Sequence, residues 1–211
     1  MIALIGSEGS MGRRYQAILN HMDEDFLAYD KIRVSNDEII ERAARCDRII
    51  IATPTETHVD YLRAFLPLKK PILCEKPVTR GLDEIIDLHA ECALNGWSYN
   101  MVMQYKELDL PLKTPRQPSH YNYFRPGKPE DGLAWNCMQI VGLANGPVSL
   151  KDDSPIWECV INGHRLSIEG MDGAYIAHIR KFIMGALSQP MDEILNIHKK
   201  VHAWKEANES N

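Results

Sequence analysis

The chain has little that would tie it to an oxidising compartment, a membrane or a polyanion. Its five cysteines (Cys46, Cys74, Cys92, Cys137 and Cys159) are scattered, odd in number and never form a C-x-x-C pair. That excludes a disulfide framework or a thiolate zinc centre and fits reduced thiols in a cytosol. No apolar run approaches the roughly 18 residues that a membrane helix needs. The chain opens directly into "IALIG" with no basic segment before it, so no export signal is expected. Positive charge is in short supply, with 24 Lys and Arg against 29 Asp and Glu and a net charge of -5. Such a surface gives no footprint for nucleic acid or an anionic membrane. Internal repeats and low-complexity tails are missing too. What remains is 211 residues of ordinary globular composition, 45% hydrophobic and 25% charged. The expectation is a cytoplasmic protein, of one large domain or two small ones, that handles a small molecule.

The organisation is legible from periodicity. Residues 2–5, "IALI", form a continuous apolar run ending at Gly6, the pattern of a parallel strand covered on both faces. "GSMGRRYQAILN" then has a helical period through Met11, Tyr15, Ile18 and Leu19. Further strands are predicted at 26–30, 48–53, 71–75 and 97–105, alternating with helices at 35–46, 56–66 and 81–95; Ser35 and Glu38 fit a capping box. Alternation of this kind gives an α/β fold, a Rossmann-like doubly wound parallel sheet, assigned to residues 1–106. Residues 107–119 carry Pro111, Pro115 and Pro118 and read as a linker. Residues 120–211 read as a small α+β domain. It would hold a strand at 120–124, an apolar helix at 132–144, an antiparallel hairpin turning at Asn162-Gly163, and helices at about 172–187 and 191–207.

Three local motifs carry chemistry. "IGSEGSMG" sets Gly6, Gly9 and Gly12 three apart at the first strand-to-helix turn. A dinucleotide pyrophosphate needs open helix N-terminal N–H groups there, where a Cβ would obstruct it. The spacing is G-x-x-G-x-x-G rather than G-x-G-x-x-G, so its weight comes from the strand before and the helix after. Asp30, closing the second strand, is placed to bond a ribose diol and to repel a 2′-phosphate, which favours NAD. Lys31 and Arg33 follow it, so NADP stays open. "ATPTETH" (52–58) closes the third strand, where Thr53 and Thr55 offer hydroxyls and Pro54 fixes the turn; His58 alone reads as a first-turn residue bonding locally. "CEKP" (74–77) closes the fourth strand. Either Glu75-Lys76-Pro77 is a solvated turn, or Lys76 is an ammonium delivered to a carbinol or carbonyl oxygen.

Together, "IALIGSEGSMGRR", "IIIATPTETH" and "ILCEKPVT" resemble the Gfo/Idh/MocA (glucose–fructose oxidoreductase / inositol 2-dehydrogenase) family across about residues 1–105. The resemblance implies NAD(P) bound at Gly6, Gly9, Ser10, Met11, Gly12, Asp30, Thr53, Pro54, Thr55, His58, Glu75, Lys76 and Pro77, with Lys76 as the active-site lysine beside the nicotinamide. The glycine spacing alone is also similar to that of dihydrodipicolinate reductases, whose paired-histidine motif is absent. The second half departs from the family. It is short, and where the family carries an Asp and a His four residues apart, "WNCMQIV" has Trp135 and Gln139. Glutamine cannot transfer a proton as histidine does. Gln139, Gln104, Tyr105 and Tyr123 remain as polar substrate contacts, with Gln139 and Tyr105 as lesser catalytic candidates. The family reading is hydride transfer to or from a sugar, polyol or related carbonyl compound. The alternatives are a catalytically impaired dinucleotide-binding sensor or assembly protein, and a reductase of another substrate class. His198 and His202 have metal-ligand spacing, but the lysines around them read as a solvated helix face, and no metal is expected. The hairpin sheet, near Trp157, Val160 and Ile168, is a candidate seam for a homo-oligomer, with a dimer favoured.

Overall fold

The computed structural model describes residues 1–108, 110, 118–124, 135, 137–151 and 153–208. The chain divides into two compact units. Met1–Val102 and Arg180–Met191 form the first, Met103–Ile179 and Asp192–Asn211 the second. The segment Arg180–Met191, from the chain's last third, thus belongs with the N-terminal unit, while the sequence boundary was expected after residue 106.

The first unit is a five-stranded parallel sheet of β1 (Ile2–Ile5), β2 (Phe26–Tyr29), β3 (Arg48–Ile51), β4 (Ile72–Cys74) and β5 (Asn100–Met101), ordered β2-β1-β3-β4-β5. It alternates with α1 (Ser10–His21), α2 (Asn36–Ala43), α3 (His58–Phe65) and α4 (Leu82–Asn95). β1 and β4 are buried throughout, as helices on both faces require. Ser35 caps α2 by accepting the Glu38 N–H. β2 is an edge strand, and its Leu27 and Ala28 are exposed. β5 is much shorter than the predicted 97–105. Its backbone turns into a 3-10 helix at Gln104–Glu107, and the Met101 N–H is bonded by the Gln189 side chain at 2.9 Å instead of a further strand.

The second unit contains a mixed sheet of β6 (Ser119–Phe124), β7 (Val148–Lys151), β8 (Asp153–Ile161) and β9 (His164–Arg165), in the order β7-β6-β8-β9. β6 pairs β7 in parallel and β8 antiparallel. Asn162 and Gly163 both take positive φ, 52° and 79°, the two-residue turn that the Asn-Gly pair predicts. One face packs Val148, Leu150, Cys159 and Ile161 against Ile140 and Leu143 of α5 (Met138–Leu143). On the Val160 face, Glu158 pairs with His120 at 2.9 Å and with Arg165. The side chains of Tyr121, Tyr123, Trp157 and Ile168 lie outside the described residues, as do 109, 111–117 and residues 132–134 and 136 of the predicted helix 132–144, of which Met138–Leu143 is helical. α6 (Ile168–Ile183) begins earlier than predicted, because Ser167 accepts the Gly170 N–H at 3.0 Å. It ends before Gly185, whose φ of 70° cannot continue a helix.

α7 (Met191–Asn208) corrects one expectation. His198 does not lie on a solvated face: it is 0% exposed, on a stripe with Ile194, Ile197 and Val201. Its Nδ1 bonds the Ile194 carbonyl at 2.8 Å, and Trp135 packs on both His198 and His202. Burial pushes the His198 ring down to about 4, opposed by the Ile194 bond. The unfolded chain, with an ordinary histidine, therefore binds the extra proton first as pH falls. The stabilisation from keeping His198 neutral is complete above about pH 6.5 and is lost as pH falls towards 4. Between pH 7.5 and pH 4.5 the site should cost about 2–3 kcal/mol of folding stability. Denaturant unfolding of the wild type and His198→Phe at the two pH values checks this; equal pH slopes would remove His198 as the cause.

Candidate functional site

The sheet register brings one end of every strand level. Ile5 pairs with Tyr29 and Ile51, Ile51 with Cys74, and Cys74 with Met101. The turns that follow, at Gly6, Asp30, Ala52 and Glu75, therefore lie along a single carboxyl rim. The chain reverses direction across the sheet between β1 and β3, which makes this rim the switch point where open α/β sheets bind ligands.

Three glycines at this point have different reasons to be glycine. Gly6 takes φ +84°, and a Cβ on it would stand 2.6 Å from the Ala52 carbonyl oxygen. A Cβ on Gly12 would lie 2.1 Å from the Gly6 oxygen, so its absence lets α1 pack on β1. Gly9 is exposed, has an ordinary extended backbone (φ −70°, ψ 167°), and a Cβ there would meet nothing nearer than 3.4 Å. The protein's own packing thus explains two glycines and leaves the third open. Gly9 is also the N-cap of α1, with no side-chain cap and no acidic residue in the first turn. The N–H groups of Ser10, Met11 and Gly12 stand in the first turn of α1, where the helix itself supplies no acceptor. An uncapped N-terminus beside a cradle that a Cβ would fill fits a phosphate-bearing cofactor.

Asp30 is buried, its Oδ2 accepting the Glu8 N–H at 3.0 Å and its Oδ1 the Ile32 N–H at 3.2 Å. Thr53 is half-buried and Pro54 exposed; the Thr53 hydroxyl accepts from Thr57 at 2.9 Å, and Thr55 opens a short 3-10 turn. His58 is only 1% exposed. Its Nδ1 faces the Pro77 carbonyl and its Nε2 the Thr53 carbonyl, both at 2.8 Å. The ring therefore clasps the loop after β3 to the loop after β4, with both nitrogens engaged inside the protein. Glu75 is buried and accepts the Tyr15 hydroxyl on Oε1 and the Lys76 N–H on Oε2, the latter at 3.0 Å. That carboxylate orients the turn, and Lys76 is half-buried at the rim, followed by a cis peptide bond to Pro77. Tyr15, on α1, is a positioning residue that the sequence did not single out; its helical period marked it only as core.

In the second unit, Gln139 is 3% exposed. Its Oε1 accepts the Tyr105 N–H at 3.0 Å and its Nε2 donates to Gln104 Oε1 at 2.6 Å. Gln104, Tyr105 and Gln139 are thus brought together, but the Gln139 amide ties α5 to the 3-10 helix with both of its ends. Sequence reasoning also missed a buried His178–Glu107 pair, Nδ1 to Oε1 at 2.9 Å, with His178 Nε2 accepting the Met103 N–H at 3.4 Å. A separation of 71 residues leaves no local signal for it. Among the described residues, no group of three His, Cys, Asp or Glu side chains could hold a metal ion, and no helix is long and apolar enough to cross a membrane.

Residues 1–101 match the oxidoreductase family, NAD-binding Rossmann fold (GFO_IDH_MocA). Inositol 2-dehydrogenase of Rhizobium meliloti (strain 1021) is 46% identical over 48 residues, 23% of this chain and 14% of that protein. The counterpart in Mycolicibacterium smegmatis is 45% identical over 42 residues, 20% of this chain and 12% of that protein. The match thus spans only a small part of those relatives' length. Among solved structures, a myo-inositol dehydrogenase from Corynebacterium glutamicum superposes with a TM-score of 0.74 at 14% identity, covering 99% of this chain and 96% of that one. The WlbA (WbpB) dehydrogenase from Thermus thermophilus, solved with NAD and UDP-GlcNAcA, gives 0.71 at 16% identity, covering 97% and 94%. At such identities the likeness is one of fold.

Proposed function

From the match of residues 1–101 to the NAD-binding Rossmann fold of the Gfo/Idh/MocA oxidoreductase family, we propose that the protein is an NAD(P)-dependent dehydrogenase or reductase acting on a sugar, polyol or related carbonyl compound. The observation that carries the proposal is Gly9, a glycine that nothing in the protein's own packing requires, at the uncapped start of α1 on the carboxyl rim. In this reading Ser10, Met11 and Gly12 offer N–H groups to a pyrophosphate, and Asp30 takes the adenosine ribose, favouring NAD. Thr53, Pro54 and Thr55 line the path between them, while His58 and Pro77 hold that path's walls together. When bound, the nicotinamide supplies a hydride acceptor or donor. Lys76 then donates to, or holds charge on, the substrate oxygen. Five free, buried cysteines support a cytoplasmic setting. We assign a homodimer to it as well, with sedimentation velocity as the check.

A specific observation favours the second reading, a dinucleotide-binding sensor or assembly protein. Both ends of the Gln139 amide are bonded internally, and an amide at the position that aligns with the family histidine cannot transfer a proton as histidine does. Fluorescence of NADH and NADPH on mixing with protein separates the cases, followed by a turnover screen across sugars, polyols and their nucleotide conjugates. Saturable binding with turnover is the expected result. Binding without turnover would select the sensor, and no binding of either dinucleotide would defeat both readings.

A further inference from the structure

The glycine loop carries an acidic residue, Glu8, within the stretch that would face a pyrophosphate. An anion-binding turn is an unfavourable place for a carboxylate unless it is occupied by something else. Glu8 is occupied. Its side chain is 28% exposed, with Oε1 2.5 Å from the Arg33 guanidinium and Oε2 3.8 Å from that of Arg13. Its backbone N–H is bonded to the Asp30 carboxylate. The turn after Asp30 is closed by the Arg33 and Val34 N–H groups on the Asp30 carbonyl at 3.0 and 3.2 Å, and it carries the Arg33 guanidinium that pairs with Glu8.

We propose that Glu8 is a specificity-determining residue: it holds Arg33 as an ion-pair partner and so withholds it from a 2′-phosphate, making the site select NAD(H) over NADP(H). The inference rests on the dinucleotide reading of the first unit. Arginine is the side chain best suited to grip a phosphate with two parallel bonds, and one lying three residues beyond a ribose-reading carboxylate would ordinarily favour NADP. Here that arginine is already paired with Glu8. The same holds along the cleft of about 530 Å³ that runs from Asp30 beside β2. Its two other arginines, Arg42 and Arg45, are paired with Glu38 and Glu41. A 2′-phosphate entering here meets Asp30 and Glu8, and each arginine that lines the cleft is paired with a glutamate among the described residues; Lys31, exposed at the same turn, is a further nearby cation. As a plain surface ion pair, Glu8–Arg33 would contribute little to stability, so Glu8→Gln should leave the fold intact.

The test measures NADH and NADPH dissociation constants by fluorescence titration for the wild type, Glu8→Gln, and Glu8→Gln combined with Arg33→Ala. The pyrophosphate is common to both ligands, so the NADH-to-NADPH affinity ratio isolates the 2′-phosphate. Glu8→Gln should move that ratio towards NADPH by roughly tenfold, the scale of one unit charge acting on a dianion a few ångströms away in a water-like medium. The added Arg33→Ala should abolish the shift. An unchanged ratio in Glu8→Gln would overturn the proposal. So would a shift that survives loss of Arg33, which would trace it to Lys31 or to net charge. A wild type that binds neither dinucleotide would instead overturn the function from which this inference starts.

Discussion

Gly12→Ala is expected to disrupt the first unit, whereas Gly9→Ala is expected to leave it folded and poor at holding a dinucleotide. The added methyl at residue 12 would sit 2.1 Å from the Gly6 oxygen and 2.7 Å from the Ser7 Cα. Both are backbone atoms, so no rotamer change relieves the clash, and α1 must move off β1. Overpacking of this kind costs about 3 kcal/mol or more, which for a chain of this size lowers the melting temperature by roughly 6–12 °C. The methyl at residue 9 has 3.4 Å to its nearest neighbour and a backbone that any residue adopts. Its melting temperature should stay within about 2 °C of wild type. Its NADH affinity should fall roughly tenfold or more, as expected when charge-assisted bonds to a pyrophosphate are displaced. Thermal unfolding and a fluorescence titration on the same preparations check both halves. Retained NADH affinity in a folded Gly9→Ala would leave that glycine without its assigned reason.

Lys76→Ala should reduce turnover by roughly 10²-fold or more, the scale of a lost acid/base group, while NADH affinity stays within about tenfold. Lys76 lies in the turn after β4 on the rim, and its backbone N–H is fixed by the Glu75 carboxylate, which the Tyr15 hydroxyl fixes in turn. The position is thus built by three elements, β4, the turn after it and α1. The measurement is kcat and KM on whichever substrate the screen identifies, beside NADH binding. Undiminished turnover would return Lys76 to the solvated-turn reading that its sequence neighbours also permit.

The sequence was most informative where chemistry is local. Strands β1, β3 and β4 are apolar runs, the Asn162-Gly163 turn is a two-residue signal, and Lys76 stands beside a proline in a short motif at a strand end. The rest depends on pairs far apart in the chain. Gly9 and Gly12 are indistinguishable as letters and differ only in what stands across from them. His58 looks like any first-turn histidine until Thr53 and Pro77 are seen to close on it, 5 and 19 residues away. His198 was misjudged because three lysines nearby suggested solvent. Alternation along one helix cannot reveal that Trp135 covers the histidine from elsewhere in the second unit. The partners of the Gln139 amide, Gln104 and Tyr105, lie more than 30 residues earlier, so no local pattern announces those bonds.

The discontinuity of the first unit bears on how the protein is made. Met101, on the edge strand β5, has its N–H bonded by Gln189, which is specified 88 residues later. At the usual pace of translation, about 5–20 residues per second, β5 leaves the ribosome roughly 4–18 seconds before its cap exists. During that interval the nascent sheet carries one open edge at β2 by design and a second at β5 by delay. A ribosome-bound fragment ending anywhere before Arg180 is therefore an incomplete dinucleotide domain, however complete its motifs look.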